Sequence, residues 1–507
     1  MRFDVHVVPE HALRDSIQMK RFRTPSALSA ALTATAVIFT VAAVAGGLLY
    51  LDRKQDRPIV VTAAASASPD QLATAAEIRH ILADRIDVQR QSVGIVVGII
   101  GPHGRSIIAH GDFGGLDPRQ VDGDTVFEIG SVTKVFTGLL LADMAARGEV
   151  ALTDPVAKYL PMNVALPERG GKAITLVDLA TQTSGLPRMP DNIGPTDETN
   201  PYADYTIDEM YAFVSGYELP RDIGAEYEYS NLGSALLGQA LAHRAGKSYD
   251  ALVQERIVGP LAMRSTAIEL APRLGKRMAT GHNATLEIVP NWDLPAFAGA
   301  GALRSSANDL LELLQVTVNK NRTPLTIALA ATLATRRAIG EQETSAALGW
   351  VITQSSNGEI AWHDGGTGGY SAFIGFHPAS RTGVVVLSNA NTGVSDIGLH
   401  LLNREIPLTR AKPRHSEVAT DASLFDTYTG RYQLAPDVVL TVLREDDALY
   451  AQFSGQPKMQ LFAEGGHRFF YKEVEAAITF AAPESNRSPS LVLHRFGRDM
   501  PAARLSD

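Results

Sequence analysis

The stretch that most constrains this chain is Phe127-Glu128-Ile129-Gly130-Ser131-Val132-Thr133-Lys134, an apolar entry broken by glycine and followed by residues 135–146 without a helix breaker. Gly130 permits a tight turn, and the apolar spacing of 135–146 predicts a helix. Ser131 then falls in the first turn, where free N–H groups and the positive dipole end gather. Lys134 is three residues on and shares its helical face. A serine hydroxyl is a weak nucleophile until a neighbour takes its proton, and a desolvated lysine amine can be that base. The same residues also suit a serine helix cap followed by a surface lysine, so the rest of the chain must decide.

The chain has 507 residues, enough for about three domains and a large core. Its net charge of −9 argues against a broad nucleic-acid-binding face. It holds no cysteine, which removes disulfides, thiolate catalysis and cysteine-based zinc sites together. Residues 27–51 carry no charge and are rich in Ala, Val and Leu. As a helix this run is about 37 Å long, sufficient to cross a bilayer. Lys20, Arg21 and Arg23 precede it, which predicts a cytoplasmic tail at 1–26, an anchor at 27–51 and an exported remainder in the periplasm. A cleaved signal peptide competes, with small residues at 63–67 as the cut. However, Asp52, Arg53 and Lys54 intervene, and the run exceeds the usual signal core.

Residues 52–74 read as a linker. Helical spacing covers 71–85, and 92–100 and 105–110 read as a strand pair around a Gly-Pro turn. A short helix over 174–180 is capped at Thr175 and runs into Thr183-Ser184-Gly185-Leu186-Pro187. Residues 189–205 are loop, an insertion long enough to suggest a functional role. Helices are expected at 207–214, 235–245, 307–318 and 394–402. Strand-like runs at 348–353, 359–363, 371–377 and 383–388 describe an antiparallel meander. After a linker at 407–421, short strands at 440–443, 448–453, 468–471 and 491–496 predict a small β domain over 422–507.

Two further constellations carry chemistry. In Tyr229-Ser230-Asn231, the tyrosine and asparagine can face one side. A phenol beside a cationic amine has a lowered pKa and suits acid–base work, while the amide can meet a substrate carbonyl. A tyrosine turn before a helix cap accounts for the same residues structurally. In His363-Asp364-Gly365-Gly366-Thr367-Gly368-Gly369, the glycines weaken the strand and leave room for another molecule to approach.

Ser131-x-x-Lys134, Tyr229-x-Asn231 and His363-x-Gly365, in that order, resemble the serine penicillin-recognising hydrolases related to class C β-lactamases, with their D-Ala-D-Ala carboxypeptidase and esterase relatives. The similarity spans 75–406. It implies an α/β (α+β) architecture, an antiparallel sheet flanked by helices with a helical subdomain, plus a small C-terminal β-barrel-like domain. It implies an acyl-enzyme mechanism in which Ser131 attacks a carbonyl and Lys134 and Tyr229 carry protons. Asn231, His363, Gly365, Gly366 and Thr367 would bind substrate, with the N–H groups of Ser131 and Gly366 as oxyanion hole. Neither metal nor organic cofactor is expected.

The implied substrate is a D-Ala-containing peptidoglycan peptide or a related amide or ester. A β-lactamase, a carboxylesterase and a non-catalytic cell-wall-binding protein are the alternatives. The chain departs from relatives that have Lys-Thr-Gly where His363-Asp364-Gly365 stands. Histidine is mostly neutral at neutral pH and anchors an anion less firmly.

Overall fold

The computed structural model describes residues 73–505 apart from 103, 320–322, 341–342, 410–416, 436–437, 454–457, 472–475 and 496–497. The expected tail at 1–26, anchor at 27–51 and linker residues 52–72 lie outside the described residues. Among the described residues no helix is long and apolar enough to cross a membrane.

Nine strands form one antiparallel sheet: β1 (Gly94–Gly101), β2 (Gly104–Gly114), β3 (Asp117–Gln120), β4 (Arg337–Ala338), β5 (Thr344–Ala346), β6 (Val351–Ser355), β7 (Gly358–Gly366), β8 (Ser371–His377) and β9 (Thr382–Ser388). Their order is β3-β2-β1-β9-β8-β7-β6-β5-β4, so the first strand pairs with the last. Ile95 faces Ser388 and Ile100 faces Gly383 across that join. The apolar run of β1 is continuous because both of its faces are covered. Val96, Ile100, Val385 and Leu387 point into the larger core. Ile95, Val97, Ile99, Val384 and Val386 point the other way, where they meet helices α1 (Ala75–Ala83) and α5 (Ser395–Leu402).

The expected strand at 348–353 begins later. Leu348 N–H donates to Thr332 O instead of entering the sheet, and pairing starts at Val351. The glycines expected to weaken the strand after His363 do not end it. Gly365 pairs with Ala372 and Gly366 with Ser371, so β7 carries ordered backbone to its tip. The helical part holds α2 (Thr133–Ala146), α3 (Asn231–Ala245) and α4 (Ala307–Asn319). Residues 189–205 are loop, as the composition predicts.

Eight further strands between Gly430 and Arg504 close an antiparallel barrel. Its core is separate and built from Tyr432, Leu440, Leu449, Phe469, Ile478, Phe480 and Leu491 with their neighbours. Closure removes the unpaired edges that an open sheet of this size would expose.

Candidate active site

Ser131 lies in a short 3₁₀ turn, Gly130–Val132, that feeds α2. Gly130 has φ +47°, and a Cβ there would come within 2.8 Å of Gly366 N. A Cβ on Gly365 would overlap the Ile129 carbonyl oxygen. Both glycines therefore serve the close approach of the β7 tip to the serine turn. This juxtaposition brings the Ser131 and Gly366 backbones side by side.

Lys134 is buried, 3 % exposed, one helical turn beyond the serine. Its Nζ is 2.9 Å from Ser131 Oγ, 2.8 Å from Asn231 Oδ1 and 2.8 Å from Ala300 O. Burial drives its pKa well below the usual lysine value, and the Arg188 guanidinium pushes the same way. Asn231 Oδ1 and the Ala300 carbonyl can only accept, so they take the two protons of a neutral amine. That leaves its lone pair for the serine hydroxyl.

Asn231 opens α3, whose end is assembled from the 182–189 segment. Ser230 Oγ accepts from Gly233 N (2.8 Å) and donates to Pro187 O (2.6 Å), while Gln182 Oε1 accepts from Ser230 N (2.7 Å). Asn231 N donates to Arg188 O, and Asn231 Nδ2 meets only the weak acceptor Met189 Sδ, at 3.4 Å.

The Tyr229 ring has Lys134 Nζ 4.7 Å and Arg188 Cζ 5.1 Å from its centroid. Contrary to the lowered pKa expected beside a cation, burial raises the phenol, and its hydrogen bond with Ser131 only partly opposes this. The physical reason is that desolvation of the phenolate outweighs the Arg188 charge that favours it, while the Asp364 charge adds to the rise. Tyr229 is thus a proton donor at neutral pH.

His363 packs 6.2 Å from Tyr229, ring to ring. Its Nδ1 is 2.6 Å from Asp364 O, an acceptor, so Nδ1 carries the proton and Nε2 is left as an acceptor. Burial, with Lys134 nearby, pushes its pKa down to about 4.

A narrow pocket opens over the serine. Ser131, Asn231, Gly366 and Thr367 line it, against a wall of Met189, Tyr202, Trp292, Leu294 and Phe297. Of the expected site residues, Lys134 lies beneath the serine and Tyr229 and His363 stand beside it. Gly365 is occupied by packing. Thr367 reaches the cavity wall with its side chain 2 % exposed and beside Glu128.

The sequence reading missed the support of the aromatic wall. Glu128, buried and pushed up in pKa by that burial, lies 3.3 Å from Arg304 and accepts from Trp292 N (3.0 Å). Trp292 Nε1 donates to Thr199 O (3.1 Å), and Tyr202 meets Trp292 edge-on at 5.1 Å. The only trace of this in sequence was Glu128 within an otherwise apolar run. The acceptor Ala300 O and the cation Arg188 carried no motif.

The sheet, the serine turn and the lysine beneath it define a serine hydrolase site. Residues 74–406 match the Beta-lactamase family, and the chain belongs to it. Residues 414–504 match a domain of unknown function, DUF3471. Among curated relatives, the D-alanyl-D-alanine-carboxypeptidase/endopeptidase AmpH of Escherichia coli K12 is 27 % identical over 345 residues, covering 64 % of this chain and 88 % of that protein. Protein flp of Staphylococcus aureus N315 is 26 % identical over 328 residues, 63 % of this chain and 62 % of its own length. A β-lactamase/D-alanine carboxypeptidase from Yersinia pestis, solved with citrate, superposes with TM-score 0.55 at 25 % identity, covering 62 % of this chain and 92 % of that one. A class C β-lactamase from Rhodobacter sphaeroides gives TM-score 0.54 at 26 % identity, covering 62 % and 94 %.

Proposed function

We propose that this β-lactamase-family serine hydrolase acts through an acyl-enzyme at Ser131 on D-Ala-containing peptidoglycan peptides or related amides and esters. The observation that carries the reading is the buried Lys134 amine, 2.9 Å from Ser131 Oγ, with its pKa driven well below the usual lysine value by burial. Lys134 takes the hydroxyl proton as Oγ attacks the carbonyl carbon. The Ser131 and Gly366 N–H groups meet the developing oxyanion. Tyr229, protonated and hydrogen-bonded to Ser131, relays a proton to the leaving group, whose bond to the acyl carbon breaks. Asn231 Nδ2 exchanges its weak contact with Met189 for the acyl amide oxygen. Lys134 passes its proton to Tyr229; water then attacks the acyl carbon, giving a proton to Lys134, which returns it to Oγ as the Oγ–acyl bond breaks.

The same reading assigns 75–406 to the hydrolase and 422–507 to an accessory β domain, with linkers at 52–74 and 407–421. The separate cores support that division. It places the hydrolase outside the cytoplasm, held to the inner membrane by 27–51. The uncharged run and the basic residues before it support this.

The test is intact-mass analysis of the protein mixed with a penicillin, with Ser131→Ala as control. A serine-dependent adduct is expected. Hydrolysis of amides, esters and penicillins that persists in Ser131→Ala overturns the mechanism.

A further inference from the structure

Arg188 is a charged group beside this site that the mechanism leaves unused. Its backbone carbonyl caps α3 by accepting from Asn231 N and Leu232 N, so the residue is fixed in place within one turn of the catalytic tyrosine. Its side chain is exposed and lies over the Tyr229 ring, at 5.1 Å. It forms no ion pair among the described residues. Arg304, also near the cavity, is paired with Glu128 and donates to the Trp292 carbonyl. The nearby carboxylate, Asp364, accepts from Ser395 Oγ at 2.7 Å, and its charge reaches Lys134 and Tyr229.

The strand tip supplies no cation. His363 is buried, its Nδ1–H is directed at a carbonyl, and Nε2 can only accept from a ligand. The cavity wall opposite is Met189, Tyr202, Trp292, Leu294 and Phe297, none of them ionised at neutral pH. Arg188 stands over Tyr229, next to the lining residue Met189, and presents an exposed guanidinium with no ion pair among the described residues, whose planar fork suits bidentate carboxylate binding.

We propose that Arg188 is a specificity-determining residue that selects substrates bearing a free carboxylate near the scissile bond. This rests on the reading of Ser131 as the nucleophile. A carboxylate docked on the fork is drawn over Tyr229.

The test uses the full chain and two matched pairs of N-acylglycine thioesters. One pair differs by a free carboxylate against a primary amide in the thiol half. The other differs by a succinyl against a succinamoyl group in the acyl half. Wild type should prefer the carboxylate member of at least one pair by tenfold or more in kcat/KM. R188Q and R188M should each lose that preference through KM, and R188K should restore part of it. The pair that responds locates the anion. Indifference of wild type to the carboxylate in both pairs overturns the proposal, as does a preference that survives in R188Q or R188M. A role confined to lowering the Lys134 pKa would move the acid limb of both members equally and leave their ratio intact, which also overturns it. Ser131→Ala is run alongside. Turnover that survives there counts against the nucleophile itself and so separates that failure from the failure of Arg188.

Discussion

The hydrolase region and the barrel solve the same packing problem with different side chains. In the first, Lys134, Glu128, His363, Asp143, Asp309 and Arg85 are buried alongside the apolar core. In the barrel, no charged side chain is buried among the described residues, and Ser488 is the one buried polar group. Its interior is aromatic and aliphatic, with Tyr428 against Phe480 at 4.6 Å and Phe469 at 5.2 Å. Its ionisable groups run along the outside instead. Glu464 accepts from Arg468 (2.8 Å), Arg468 donates to Thr479 (3.3 Å), Thr479 bonds His494 (2.8 Å), and His494 bonds Asp499 (2.6 Å). Taking an ionisable group out of water costs several kcal/mol unless it is neutralised or well paired. The hydrolase region pairs some of these groups, Arg85 with Asp396 and Asp143 with Arg256, and shifts the protonation of others, Lys134 and His363. The barrel has no buried charged side chain among the described residues.

The comparison can be broken first at Lys134. If its burial exists to make a base, Lys134→Met should cut kcat/KM by about a thousandfold while the fold survives, since methionine fills the same channel with an apolar chain. Acylation by a penicillin, followed by mass, reads this directly. A modest loss would mean that the amine is a structural plug.

Next in size is a pair of neighbours at the strand tip. Gly365→Ala forces a methyl onto the Ile129 carbonyl and must displace the serine turn. A displacement near 1 Å costs about a hundredfold in rate. Gly366→Ala meets nothing nearer than 3.7 Å and should stay within a few-fold of wild type. Equal losses would show that the Gly365 packing is not what sets the turn.

His363 sharpens the contrast through pH. Its folded pKa, about 4, lies below the ordinary histidine value of 6.5. The folded state therefore disfavours the proton, and the stability this gives is present above pH 6.5. It is lost as pH falls from 6.5 through about 4 and amounts to about 3 kcal/mol. His363→Asn should flatten that acid limb in a series of melting temperatures between pH 7 and 4.5. Were the limb unchanged, the acid sensitivity would have to come from other groups.

The sequence exposed this organisation unevenly. Helix α2, the capped 174–180 turn and strands 371–377 and 448–453 were legible because their apolar period and boundary residues agree. Ser131, Lys134, Tyr229 and Asn231 were legible as spaced pairs. The direction of the Tyr229 shift was not, because it depends on how far the phenol is desolvated, and no linear pattern records that. Ala300 was invisible because it acts through its carbonyl. Closure of β1 onto β9 joins residues nearly 300 positions apart, and a local period says nothing about which distant edge a strand will meet.

The smallest expected effect tests the barrel half of the contrast. His494 ties Thr479 to Asp499 in an arrangement that, inside the hydrolase region, would be read as chemistry. On the barrel surface Asp499 is 74 % exposed and His494 25 % exposed, so both ends of the chain compete with water. Exposed pairs of this kind contribute about 0–1 kcal/mol. His494→Ala should therefore shift stability by less than about 1 kcal/mol, respond to added salt, and leave penicillin acylation at Ser131 unaltered. A loss of several kcal/mol would show that the belt is held away from solvent. The contrast between the two regions, ionisable groups buried in one and exposed in the other, would then fail in the barrel.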